Sequence, residues 1–137
     1  MEKVMHIGPH FTDERGDITN VFEGEIQHVA LITSKAGTVR ANHYHKNIYQ
    51  YIYLISGELE TYCCDIKHPE KVQKLRVLPG DLINTPPMTV HAQKFLKDSV
   101  FLALSTFKRS NKRYEDDTIA FKIIEGYINP ELQQGNR

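Results

Sequence analysis

The stretch that decides the fold runs Gly37-Thr-Val-Arg40-Ala-Asn-His43-Tyr-His45-Lys46-Asn-Ile-Tyr49-Gln50-Tyr-Ile-Tyr-Leu-Ile-Ser-Gly57. On a β-strand, residues i and i+2 point to one face, so His43 and His45 stand side by side. Paired imidazoles hold a transition metal or supply a base near neutral pH, because histidine titrates near pH 6.5 and its neutral ring carries a donor nitrogen. The second half of the stretch alternates. Tyr49, Tyr51, Tyr53 and Ile55 fall on one face, and Gln50, Ile52 and Leu54 on the other. Gln50 is thus an amide at the polar end of an apolar wall, where it needs a partner. The tyrosine stripe either packs against a second sheet or, exposed, makes a subunit interface.

Outward from this stretch the chain repeats the same β-pattern at intervals of about ten residues. The segments Ile18–Phe22, Ile26–Thr33, Thr38–His45, Tyr49–Ile55, Glu58–Asp65, Val72–Leu78, Asp81–Thr85, Thr89–Phe95 and Ser99–Phe107 are rich in Val, Ile, Tyr, Phe and Thr. Gly16, Gly24, Gly37, Ser56-Gly57, His68-Pro69, Pro79-Gly80-Asp81 and Pro86-Pro87 punctuate them. Many short strands without an amphipathic helix predict an all-β jelly-roll barrel or sandwich, an architecture that limits exposed strand edges. Thr118–Ile124 reads as a last strand or as an excursion onto a partner. In Thr89–Phe95, His91 shares its face with Thr89, Gln93 and Phe95, and the rigid Pro86-Pro87-Met88 turn aims that strand back into the barrel.

The chain has 137 residues, is 40% hydrophobic and carries a formal net charge of zero, which together predict one domain, 1–137. Residues 1–15 are expected to form an N-terminal arm or strand and 129–137 a flexible tail. A balanced charge offers no electrostatic reason for a nucleic-acid partner. The basic cluster Lys108, Arg109, Lys112, Arg113 runs at once into Glu115, Asp116 and Asp117 and reads as a solvated loop. No apolar run reaches membrane-spanning length, and no signal-peptide pattern opens the chain. The two cysteines, Cys63 and Cys64, are adjacent and face opposite ways, a pattern suited to a reducing compartment, so a cytoplasmic location is expected. His6, His10, His28 and His68 have no supporting pattern.

These residues resemble the cupin superfamily, whose motifs are G-x5-H-x-H-x(3,4)-E-x6-G and G-x5-P-x-G-x2-H-x3-N. The first reads here as Gly37, His43, His45, Gln50 in place of Glu, and Gly57. The second reads as Gly80, Pro86, Met88 in place of Gly, His91, and Phe95 in place of Asn. The resemblance implies a cupin-type jelly roll with metal ligands at His43, His45 and His91 and a fourth position at Gln50. An amide brings no negative charge to a cation, so Zn, Ni, Fe or Mn would be held by three histidines and a weak neutral ligand.

A narrower resemblance comes from Asp13-Glu14-Arg15-Gly16, from Arg40-Ala41-Asn42-His43 and from Arg113-Tyr114-Glu-Asp-Asp117. These look like segments of the nucleotide-sugar cupins, the dTDP-4-dehydrorhamnose 3,5-epimerases and dTDP-4-keto-6-deoxyhexose 3,4-ketoisomerases, with Ala41 where those enzymes usually have Gly. The likeness implies an isomerase or epimerase of carbohydrate metabolism acting on a nucleotide-linked 4-keto-6-deoxyhexose. His43 would be the base, His45 a proton relay, Arg40 the group stabilising the oxyanion, and Tyr49 or Tyr114 the source of a proton for the opposite face. Arg15, Arg40, Lys46, Tyr49, Gln50 and Gln93 are the expected substrate contacts, and a homodimer is expected.

Two conflicts stand within the sequence. Arg40 and His43 are three apart, so both reach one pocket only if a bulge interrupts the strand. An imidazole bound to metal cannot also be a free base. Three classes therefore remain: a nucleotide-sugar epimerase or isomerase, a metal-dependent cupin dioxygenase, lyase or isomerase of a small polar substrate, and a non-catalytic sugar-binding cupin.

Overall fold

The computed structural model describes residues 1–135. Alternation produces the strands as expected, and the turns send the chain back and forth between two facing sheets. One sheet has the order β1 (Lys3–His6), β9 (Asp81–Thr85), β6 (Gln50–Ser56), β11 (Ser99–Ser105), β4 (His28–Ser34). The other has the order β13 (Gln133–Gln134), β12 (Thr118–Ala120), β5 (Val39–His45), β10 (Thr89–Phe95), β7 (Leu59–Asp65), β8 (Gln73–Val77). Successive strands from β4 onward change sheet at nearly every connection, the jelly-roll path. A separate hairpin pairs β2 (Phe11–Asp13) with β3 (Gly16–Ile18).

The inward faces meet as predicted. Ile52, Leu54, Leu59, Val77, Ile83, Phe95, Phe101 and Ala103 form the core between the sheets, and each fully buried Leu, Ile or Phe contributes about 1.5–3 kcal/mol. Phe95 stands where the second motif has Asn. Its ring stacks on Phe101 at 5.4 Å, so the departure serves packing. Gly57 is required by space as well as by its φ of 99°: a Cβ there would lie 2.1 Å from Ser99 Oγ and 2.6 Å from the Asp98 carbonyl. Glu2 is buried beside the core, its carboxyl accepting from the hydroxyls of Thr61 at 2.5 Å and Thr85 at 2.6 Å. Burial pushes its pKa up to about 7.

Several boundaries differ from expectation. The segment Ile18–Phe22 is not a strand: Ile18 ends the small hairpin opposite Phe11, and Phe22 instead packs on the Tyr51 ring at 4.4 Å. That contact accounts for part of the tyrosine stripe as intramolecular packing. The last strand is shorter than Thr118–Ile124, ending at Ala120. Beyond it Phe121 and Ile123 turn onto the outside of the sheet against Cys64, Val90 and Tyr44. The expected tail is docked through residue 135: Ile119 and Ala120 pair in parallel with Gln133 and Gln134, and Leu132 is buried. The remainder, 136–137, lies outside the described residues.

Candidate functional site

The local backbone of β5 makes the site. Its pairing with β10 sets His43 opposite His91, then Ala41 opposite Ala92 and Arg40 opposite Gln93, so Asn42 is an extra residue. Ala41 and Asn42 take up the insertion with φ of 71° and 57°, a bulge that resets the alternation. Arg40 and His43, three apart, therefore reach the same side. The displaced Asn42 side chain points the other way and staples the C-terminal segment. Its Oδ1 accepts from the amides of Ile123 and Ile124, and its Nδ2 donates to the carbonyls of Ile124 and Tyr127.

Inside the barrel His43, His45 and His91 converge, with ring centroids 4.7, 4.7 and 5.4 Å apart. All are buried, and their nearest ring nitrogens lie within 4.8 Å of one another. His91 Nδ1 donates to the Thr89 carbonyl at 2.9 Å, leaving a lone pair on Nε2 when the ring is neutral. Among the described residues, Nε2 of His43, Nε2 of His91 and Nε2 of Gln93 have no hydrogen-bond partner. Burial is the main cause that lowers all three histidines: His45 to about 4 against the opposing pull of Asp117, His91 to about 3, and His43 well below 6.5, helped by His45, His91 and Arg109. Neutral imidazoles at pH 7 follow.

A cavity of about 230 Å³ opens onto this cluster. The strands contribute Ile32, Val39, Arg40, Ala41, His43, Gln50, Ile52, Gln93 and Phe101, and the chain beyond β11 contributes Arg109, Tyr114, Tyr127, Asn129 and Leu132. His43 faces this space, while His45 and His91, each 1% exposed, stand behind it. Tyr114, on the short helix α1 (Arg113–Asp117), lies edge-on to His43 with centroids 6.4 Å apart. The Arg109 guanidinium covers the Tyr114 ring at 3.5 Å, a cation–π contact. Burial raises the Tyr114 phenol, so it is held protonated. The Arg40 guanidinium is tethered to Ser34 Oγ and the Thr33 carbonyl at the end of β4.

The expected residues divide accordingly. His43, Arg40, Gln50 and Gln93 line the cavity, with His45 and His91 directly behind. Arg15, Lys46 and Tyr49 do not: Arg15 is on the separate hairpin with its guanidinium on Asp13 at 2.6 Å, and Lys46 and Tyr49 are exposed on the turn after β5. Arg109 belongs to the cavity rather than to a wholly solvated loop, because the turn at Asn111 and Lys112, both at φ 57°, folds that loop over the mouth. Nothing in the sequence pattern singles Arg109 out from its basic neighbours. Thr118 and Tyr127 were equally silent.

The three histidines can hold a metal ion. The unpartnered Nε2 atoms of His43 and His91 fit that use, but an ion about 2.1 Å from each of three nitrogens needs them about 3–3.5 Å apart. The rings would have to close up and His45 would have to leave Gln50.

Residues 20–134 match the family model described as Cupin. No curated protein matches the chain in sequence. Among solved structures, the chain is similar to a sugar 3,4-ketoisomerase from Thermoanaerobacterium thermosaccharolyticum in complex with TDP, at 17% identity over 85% of this chain and 85% of that one, TM-score 0.69. A dTDP-4-dehydrorhamnose 3,5-epimerase from Sulfolobus tokodaii aligns at 18% identity over 98% and 85%, TM-score 0.70. A 3'-monoepimerase from Streptomyces bikiniensis in complex with dTDP-quinovose aligns at 14% over 87% and 68%, TM-score 0.72.

Proposed function

The chain belongs to the cupin family, and from that premise we propose that it is an enzyme of nucleotide-sugar metabolism that epimerises or isomerises a nucleotide-linked 4-keto-6-deoxyhexose. The observation that carries this reading is the cavity, which reaches His43 and gathers Arg40, Arg109 and Tyr114 around it. A neutral His43 takes the proton from the carbon next to the carbonyl, and the electron pair moves onto the carbonyl oxygen as an enolate. Arg40 or Arg109 stabilises that oxyanion, and the other is free to bind the diphosphate. Return of a proton to the opposite face of the same carbon, from the Tyr114 phenol, gives the epimer. Return to the former carbonyl carbon, with the neighbouring hydroxyl losing its proton, gives the isomeric ketone. Gln50 and Gln93 offer amide contacts to the sugar. The ketoisomerase and epimerases whose fold this chain shares support the substrate class.

Incubation with dTDP-4-keto-6-deoxyglucose in deuterated water tests the reading. Deuterium should enter next to the carbonyl, and His43→Asn should slow entry by at least about 100-fold. Binding of the sugar without exchange would leave a sugar-binding cupin, and exchange undiminished in His43→Asn would remove His43 as the base.

The unpartnered nitrogens of His43 and His91 favour a second reading. In it His43, His45 and His91, with Gln50 as a weak fourth ligand, hold Zn, Ni, Fe or Mn and the protein acts on a small polar substrate. A bound ion would supply Lewis-acid polarisation of a substrate oxygen. Elemental analysis decides between the two: stoichiometric metal that is lost in His91→Ala favours the second reading, and metal-free protein with proton exchange favours the first.

The same reading takes the protein as a cytoplasmic homodimer. Val29 and Leu31, 58% and 68% exposed, project from β4, the last strand in its sheet order, and a second copy would cover them. Both cysteines are buried and neither is in a disulfide. Light scattering checks the assembly, and a monomer at micromolar concentration would refute it.

A further inference from the structure

His45 has a partner at each ring nitrogen. Nδ1 lies 3.0 Å from Thr118 Oγ1, and Nε2 lies 3.0 Å from the side-chain amide of Gln50, at the atom placed as Oε1. Thr118 is the cross-strand neighbour of His45 on β12 and is fully buried. Its hydroxyl is also 2.5 Å from the Tyr114 carbonyl. A carbonyl oxygen can only accept, so the one Thr118 proton is committed there. Toward His45 the hydroxyl offers a lone pair, and Nδ1 must donate.

Among the described residues no carboxylate hydrogen-bonds to the His45 ring. The nearby Asp117 carboxylate is occupied by the amides of Asn47 and Ile48 and by Asn47 Nδ2. A buried ring without a carboxylate partner is neutral at pH 7 and has one N–H. With that proton on Nδ1, Nε2 carries the lone pair. Gln50 must then meet it with N–H, a half-turn of the amide that leaves its outline unchanged.

We infer that Thr118 and Gln50 are positioning residues that lock His45 as the Nδ1–H tautomer with its Nε2 lone pair already occupied, so that His45 braces the site and His43 is left to react. The statement about His43 rests on the proposed function, whereas the tautomer lock does not. Gln in place of the motif Glu acquires a physical reason, since a carboxylate cannot donate to Nε2.

The test is long-range proton–nitrogen NMR of the histidine side chains in the chelator-treated full chain at pH 7. His45 should show a protonated Nδ1 and an unprotonated Nε2. Thr118→Val removes the acceptor and should move the proton toward Nε2, while Thr118→Ser should restore the wild-type pattern. Gln50→Glu supplies an acceptor at the other nitrogen and should protonate Nε2, which keeps the test decisive if Thr118→Val does not fold. A protonated Nε2 in the wild type, or an unprotonated Nε2 in Gln50→Glu, overturns the inference. No substrate is needed, so failure of deuterium exchange would sink the proposed reaction and leave the lock standing. Where exchange is observed, Thr118→Val should lower kcat about tenfold or more with KM little changed; an unchanged kcat would overturn the role given to the lock.

Discussion

Acidification should destabilise this fold through its buried histidines. The folded values are about 4 for His45 and about 3 for His91, each below the ordinary 6.5. The unfolded chain therefore binds more protons below pH 6.5, and stability falls as the pH drops from there toward the folded values. At about 1.4 kcal/mol per pH unit, each of these histidines costs about 2 kcal/mol at pH 5 relative to pH 7, and His43 acts in the same direction. Glu2 opposes them. Its folded value of about 7 lies above the ordinary 4.5, so protonation of the folded state recovers about 2 kcal/mol over the same interval. The net loss between pH 7 and pH 5 should be about 2–4 kcal/mol. Urea unfolding of metal-free protein, followed by circular dichroism because the chain has no tryptophan, measures it. Glu2→Gln removes the opposing contribution and should steepen the fall. Stability that is flat or rises between pH 6.5 and pH 5 would refute the burial of neutral imidazoles.

Other perturbations probe the bulge and the loop. Ala41→Gly relieves a Cβ at φ 71° and should raise stability by about 0.5–1 kcal/mol in the same unfolding assay, since only glycine adopts that region without cost. Asn42→Ala removes four hydrogen bonds to the 123–127 backbone. It should cost about 2–4 kcal/mol, with faster amide exchange concentrated in 121–135. Arg109→Ala removes the cation over Tyr114 and should raise KM for the nucleotide sugar about tenfold or more, measured by initial rates.

Much of the site was legible because strand alternation is local. The side on which Ile52, Leu54, Gln93 and Phe95 fall follows from a two-residue period and from the need to bury apolar surface. The bulge was legible only as a conflict between Arg40 and His43. The departures from motif glycine have a backbone signature: Ala41 at φ 71° and Met88 at φ 64° keep the conformation that glycine would adopt more easily. A side chain there costs energy without changing the path, so the motif spacing survived the substitutions.

The sequence by itself determined the all-β class and the side-by-side placement of His43 and His45, since both depend on period along strands, while the jelly-roll family and the meeting of His91 with that pair were implied by the resemblance of the two motifs to the cupins. Only the tertiary structure decided which imidazole faces the cavity, that Thr118 and Gln50 hold His45 from both sides, and that Arg109 and Tyr114 close over the mouth while Arg15, Lys46 and Tyr49 stay outside it. The contact of His45 with Thr118 and the approach of Tyr114 to His43 join residues about 70 positions apart. They depend on where a loop lands after the sheets have packed, which no periodicity along the chain encodes.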